Sequence, residues 1–211
     1  MDFSKKIAID TQAEIWTDSP MPGVKRKCLA REEAERGHAT SIVMYERGAK
    51  FPTHGHPLGE EILVLDGVFS DESGDYPAGT YLRNPEGFRH APFSNEGCIL
   101  FVKLHQFQSD DFKRVSIDTN KTLWQAGIGG LKVMSLHQHG SESVALVKWP
   151  ANEHFQPHTH FGGEEIYVIS GEFIDEHGRY PKGSWLRSPH LSQHNPYVEQ
   201  ETVILVKVGH L

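Results

Sequence analysis

Four residues suited to holding a transition metal occur twice in this chain, in the same order and at the same spacing. His54, His56, Glu60 and His90 form the first quartet. His158, His160, Glu164 and His194 form the second, each member 104 residues after its counterpart. Three imidazoles and one carboxylate supply the nitrogen and oxygen donors that divalent first-row metals take. One such set among 14 histidines could arise by chance. Two complete sets in register predict two metal sites in two copies of one domain. The expected cofactor is a divalent transition metal, two per chain, and the donors suit zinc, iron, manganese or nickel.

Strand geometry places these donors. Residues i and i+2 share a strand face, so His54 and His56 point the same way. Their Cα atoms lie roughly 6.6 Å apart at a rise of about 3.3 Å per residue, and both imidazoles can reach one ion at about 2.1 Å. Pro57-Leu58-Gly59 then turns the chain. In the strand that follows, Glu60, Ile62 and Val64 share one face, and Glu61, Leu63 and Leu65 share the other. Glu60 therefore points inward among apolar neighbours, where a carboxylate is costly unless paired or metal-bound. Glu164, Ile166 and Val168 repeat the pattern. The opposite face, Leu63 and Leu65 in one copy and Tyr167 and Ile169 in the other, is also apolar. That face is expected to be covered by the other domain or by a second subunit.

The elements behind the quartets are duplicated as well. Residues 51–103 align without a gap on residues 155–207. Shared positions include Gly59/Gly163, Gly67/Gly171, Asp71/Asp175, Tyr76/Tyr180 and Arg83/Arg187. Upstream, Ile9-Asp10-Thr11 with Trp16 echoes Ile117-Asp118-Thr119 with Trp124. A repeat of about 105 residues is too long for a solenoid unit and suits two small domains. They are expected at 1–107 and 108–211, divided in the polar stretch 106–111. Short runs rich in Val, Ile, Phe and Tyr (41–45, 61–65, 99–104, 144–149, 165–169 and 202–208) alternate with turn residues. They predict an all-β sandwich or barrel. The single helical candidate, 30–36, is short and charged and predicts a surface loop or a single turn.

The order His-x-His-x3-Glu-x6-Gly, then a Gly and Pro segment, then a last His, resembles the cupin family. The first copy reads His54-Gly-His56-Pro-Leu-Gly-Glu60 with Gly67, then Gly79 to Pro85 and His90. The second reads His158-Thr-His160-Phe-Gly-Gly-Glu164 with Gly171, then Gly183 to Pro189 and His194. The resemblance implies two tandem cupin jelly-roll β-barrels, a bicupin, with a metal in the mouth of each. The Glu-Glu-Ile after the turn and the span from first to last ligand look most like the cupin domain of ChrR-type anti-sigma factors. The gap to Gly67 and the inward face favour Glu60 over Glu61 as the donor, and Glu164 over Glu165. ChrR proteins also carry a helical anti-sigma domain with its own His and Cys zinc motif. This sequence shows no helical segment of that size and no Cys-x-x-Cys, so sigma-factor sequestration through such a module is not expected.

Composition narrows the partners. The 211 residues are 37% hydrophobic and 23% charged, with a net charge of −7. No basic stripe suggests nucleic acid, and no apolar run approaches the roughly 20 residues of a membrane span. The polar Met1 to Lys6 stretch lacks a signal-peptide core, so a cytoplasmic location is expected. Cys28 and Cys98 fall at unmatched positions of the repeat and read as free thiols rather than a disulfide framework. The expected partners are a small-molecule ligand or substrate and, as a homodimer, a second copy of the chain.

Three function classes follow. The lead expectation is a ChrR-like metal-binding protein with a regulatory or sensory role. The alternative is an iron-, manganese- or nickel-dependent dioxygenase acting on a small chelating substrate. A metal-dependent isomerase or sugar-binding protein is the third. No nucleophile triad, phosphate loop or nucleotide fingerprint points elsewhere, and no catalytic residue beyond the metal sites is assigned. Arg83 and Arg187 read as solvated or salt-bridged strand positions, and Tyr81 and Trp185 as core. His137 and His139 read as loop residues. His38, His105, His154, His177, His190 and His210 lack repeat partners and receive no role.

Overall fold

Alternating, β-branched runs such as Glu61-Ile-Leu-Val-Leu and Thr202-Val-Ile-Leu-Val fit a pleated surface better than a helix. The computed structural model describes residues 2–33 and 37–211, and no helix occurs among them. The chain resolves into two compact units. The first comprises Glu14–Thr122, and the second joins Asp2–Ala13 to Leu123–Leu211.

The first unit's main sheet runs Val115–Asp118, Thr80–Asn84, Glu60–Asp71, Cys98–Leu104, Ala39–Tyr45, Val24–Arg31, Thr17–Asp18. The second runs Ile7–Asp10, Ser184–Ser188, Glu164–Ser170, Thr202–Val208, Glu142–Trp149, Lys132–His139, Gln125–Ala126. Position by position the two orders are equivalent, and all neighbours are antiparallel. The sequence repeat, 1–107 and 108–211, and the compact units divide the chain differently. Ile7–Asp10 pairs with Ser184–Ser188, Ile9 opposite Trp185. Val115–Asp118 pairs with Thr80–Asn84, Ile117 opposite Tyr81. Each repeat thus lends its first strand to the unit built mainly from the other.

Main sheet becomes barrel at a matched pair of irregularities. The ladder to the neighbouring strand slips by one residue at Leu65 and again at Ile169. Bulges of this kind bend a strand and tighten its twist. Gly67 follows at φ 71° and Gly171 at φ 77°. A Cβ on Gly67 would strike the Gly97 carbonyl, so this position needs glycine both for its backbone angle and for the close approach. Beyond the bend, Glu60–Asp71 pairs with Gly74–Pro77, and Glu172–Asp175 pairs with Gly178–Pro181. Two short ladders face them, His54–Gly55 with Arg89–His90 and His158–Thr159 with Gln193–His194. The result in each unit is a jelly roll.

Ile62, Val64, Phe69, Leu82 and Leu100 anchor the interior of the first barrel. Ile166, Val168, Phe173, Leu186 and Ile204 do the same in the second. Each such side chain contributes about 1.5–3 kcal/mol when fully buried. The outer strand face is buried as well, including Glu61, Leu63, Glu165 and Tyr167. Tyr81 and Trp185 are core residues, as expected. Of the two expected settings for Arg83 and Arg187, solvated or salt-bridged, the first does not hold because both are fully buried, and the second holds for Arg83. Arg83 donates to Glu61 and Asp111 at 3.1 and 2.6 Å and lies over the Phe107 ring. Arg187 donates to the Asp2 carbonyl at 2.9 Å. His137 and His139 belong not to a loop but to the strand Lys132–His139, where His137 is buried. Of the 30–36 stretch, Ala30 and Arg31 end the strand Val24–Arg31, and 34–36 lie outside the described residues. Cys28 and Cys98 are free thiols, one exposed and one buried.

Candidate metal centres

The structure gathers each predicted quartet at one point. In the first unit the short ladder sets His54 directly opposite His90. His56 follows two residues later, and the turn closed by Gly59 N donating to His56 O hands the chain to Glu60. Imidazole centroids lie 4.8 Å apart for His54 and His56, 5.1 Å for His54 and His90, and 5.7 Å for His56 and His90. Glu60 Oε1 is 3.4 Å from His56 Nε2, and Oε2 is 3.5 Å from His90 Nε2.

The second unit is tighter. Centroid separations are 4.8, 4.6 and 4.6 Å, and His194 Nε2 lies 3.2 Å from His158 Nε2. Glu164 Oε2 is 3.4 Å from His160 Nε2 and 3.7 Å from His194 Nε2. All four residues here present donor atoms within 4.8 Å of one another, whereas in the first unit only the three histidines meet that limit.

Outer contacts aim the rings. The Nδ1 atoms of His54 and His158 meet the Pro52 and Gln156 carbonyls at 2.9 and 3.0 Å, leaving Nε2 to face the centre. Asp71 Oδ2 stands 3.5 Å from His90 Nδ1, and Asp175 Oδ2 stands 3.4 Å from His194 Nδ1. These carboxylates are fixed in turn by Tyr76 and Tyr180, whose hydroxyls donate at 3.0 and 3.1 Å. Sequence reading assigned no role to either pair, although both pairs were visible as shared positions. The Nε2 atoms of His56, His90 and His160 are buried without a hydrogen-bond partner. Three orphaned imidazole nitrogens aimed at a carboxylate are what a divalent ion satisfies, so the donor sets fit a metal.

The equivalent carboxyls hold their protons differently. Burial pushes Glu60 up, but His56, His90, the Asn84 amide and His54 together hold it below the usual range. Asn84 Nδ2 donates to Glu60 Oε2 at 3.1 Å. The matching residue in the second unit is Ser188. There burial pushes Glu164 up to about 7, against the pull of His194 and Lys6. Burial also takes His160 down to about 3, with the charges of His194, His158 and Lys6 adding to the fall.

A cavity of about 800 Å³ opens on the first centre. Its wall includes His54, His56 and Glu60 together with Tyr45, Phe51 and Leu100. Burial, then the charges of Glu60 and Cys98, keep the Tyr45 hydroxyl protonated well above its ordinary range.

The family model described as the ChrR cupin-like domain matches the chain twice, over residues 4–108 and 113–211. No curated protein matches it in sequence. Among solved structures, a dioxygenase candidate from Nostoc punctiforme gives a TM-score of 0.82 at 16% identity, covering 97% of this chain and 82% of that one. The Escherichia coli pirin YhhW, in complex with nickel(II), gives 0.73 at 13% identity over 97% and 98% of the two chains. A deletion mutant of Bacillus subtilis oxalate decarboxylase gives 0.65 at 13% identity over 96% and 76%. At such identities the likeness carries the fold. With the paired jelly rolls and the twofold match of the family model, the chain belongs to the ChrR cupin-like family, as a tandem of two cupin domains.

Proposed function

We propose that the first unit binds a metal ion and uses it to oxidise, with molecular oxygen as the electron acceptor, a small molecule bearing adjacent oxygen donors, such as an enolate, a diketone or a catechol. The second unit holds its ion for structure. The observation that carries this reading is the cavity of about 800 Å³ whose wall includes His54, His56 and Glu60. It falls within the 300–1,000 Å³ usual for small-molecule sites. Its other lining residues are largely apolar, so the favoured molecule has an apolar body and a chelating end.

His54, His56, Glu60 and His90 would hold the ion, and Asp71 and Asn84 would keep His90 and Glu60 in place. A divalent ion there supplies Lewis acidity and coordination positions beyond the four protein donors. Phe51, Phe69 and Leu100 line the cavity and limit water around the bound molecule. A second reading, a sensor that binds such a molecule without turnover, is favoured by the completeness of both quartets.

Elemental mass spectrometry on protein purified without oxygen is expected to give two metals per chain. Iron-, manganese- or nickel-loaded protein is then expected to consume oxygen with some member of a diketone and catechol panel, and His56→Ala is expected to lose that uptake. Binding of a panel member without oxygen uptake would favour the sensor. Failure of both quartets to retain any divalent ion would overturn the proposal.

A further inference from the structure

His105 has no counterpart in the second repeat, where Gly209 takes its place. The two residues do the same backbone work. His105 N donates to the Gly59 carbonyl at 2.9 Å, and Gly209 N donates to the Gly163 carbonyl at 3.2 Å. Both clamp the turn that carries the histidine pair into the glutamate strand. Both also adopt left-handed backbone angles, φ 59° at His105 and φ 75° at Gly209. Glycine enters that region without penalty, and a residue with a Cβ does not. The first unit therefore carries a side chain on a left-handed backbone where the second, whose glycine also lies close to the Ser141 carbonyl, folds without one, a pattern associated with functional positions.

The side chain lies where a bound molecule would be. His105 lines the cavity of the first unit, and its ring is 6.4 Å from that of His56. Nδ1 sits against the Pro57 carbonyl, and because a carbonyl oxygen only accepts, Nδ1 is the donor. In the neutral ring the lone pair is then on Nε2, to which no hydrogen bond or ion pair occurs among the described residues. The three histidines of the quartet differ, because their Nε2 atoms face the metal position. His38, also on the cavity wall, is engaged with Glu32 at 3.4 Å.

We propose that His105 is a specificity-determining residue: through Nε2 it accepts a hydrogen bond from the hydroxyl that the chelating group of a molecule held in the first unit retains when that group binds as a monoanion. This inference rests on the ligand-binding reading above. It selects a catechol or enol over an analogue whose donors carry no hydrogen, and it gives the first unit a contact that the second does not possess.

The test titrates 4-nitrocatechol into zinc-loaded protein and follows its absorbance. Wild type is expected to bind it, and His105→Gly and His105→Phe are expected to bind at least about tenfold more weakly, with the zinc content unchanged. His105→Gln, which restores an acceptor near the Nε2 position, is expected to recover part of the affinity. The Gly variant is expected to melt no lower than wild type, since it relieves the backbone, so a loss of binding would not reflect misfolding. Equal affinity in wild type, Gly and Phe variants would overturn the role of His105 while leaving the cavity reading intact. Absence of any binding to zinc-loaded wild type would overturn the cavity reading, and this inference with it.

Discussion

Glu60 and Glu164 occupy equivalent places, yet they hold protons differently: against burial, His56 and His90 pull Glu60 down most, with the Asn84 amide next, whereas at Glu164 His194 and Lys6 do not overcome burial. Asn84 donates to Glu60, whereas Ser188 stands at the matching position beside Glu164. Desolvation is common to both carboxyls, and in the second unit it takes Glu164 up to about 7. A metal needs the carboxylate, so metal uptake there must expel that proton. On a His56→Ala background, which leaves only the second quartet complete, zinc affinity is expected to rise at least about tenfold per pH unit to about pH 7 and to flatten above it. Competition with a chromophoric chelator from pH 5.5 to 8 measures this, and an affinity independent of pH between 6 and 7 would remove the assignment. For the metal-free second unit the same groups act on stability with opposite signs. Glu164, raised from 4.5, stabilises fully below about 4.5 and loses that contribution as pH rises through about 7. His160, lowered from 6.5 to about 3, stabilises fully above 6.5 and loses its contribution as pH falls through about 3. Between 4.5 and 6.5 the two offset each other.

At the scale of elements, the exchanged first strands reach the chemistry. Ile7–Asp10 extends the second unit's sheet, and the segment just before it places Lys6 Nζ 3.0 Å from Asp175 Oδ2. Burial pushes Asp175 up, but His194, Lys6 and the His177 amide together hold it well below the usual range. An ionised Asp175 orients His194, so the N-terminal segment acts on the second quartet through one intermediary. Lys6→Met is expected to weaken zinc at the second site about three- to tenfold and to leave the first unchanged, as measured by competition titration of single-site variants. Equal affinity with and without Lys6 would show that Asp175 is fixed by Tyr180 and His177 alone. The eight donors were legible in sequence because a 104-residue offset needs no structure to be seen, and strand alternation turned Glu60 inward. The exchange was not legible, because alternation in Ile7–Asp10 fixes its faces but not which edge it pairs with. Nor were the slips at Leu65 and Ile169, since a bulge leaves the residue pattern of its own strand almost unaltered. Asp71 and Asp175 were visible as repeats, but only the fold brings them across to His90 and His194. His105 was set aside because it lacked a repeat partner, the property that distinguishes the first unit.

At the scale of the whole molecule, one quartet serves in two different settings. In the first unit the His56 side chain is 15% exposed and shares the wall of the large cavity. In the second the His160 side chain is 3% exposed. Trp149 replaces Tyr45 there and packs against Phe155 and Phe173 at 6.0 and 5.6 Å. A chelator must touch an ion or take its place among the donors, so access governs the rate of removal. Excess EDTA is therefore expected to strip zinc-loaded protein in two phases, the first unit's ion leaving at least about tenfold faster. The His56→Ala variant should show only the slow phase and His160→Ala only the fast one, with released zinc followed by a colorimetric indicator. An ion that binds the native state alone stabilises it in proportion to the logarithm of free-ion concentration over dissociation constant, and the second quartet, whose four donors all converge, is expected to bind the more tightly. Emptying the slow site should therefore lower the melting temperature more than emptying the fast one. Single-phase release from wild type, or a fast phase that survives in His56→Ala, would mean that the two settings do not separate an accessible ion from a structural one.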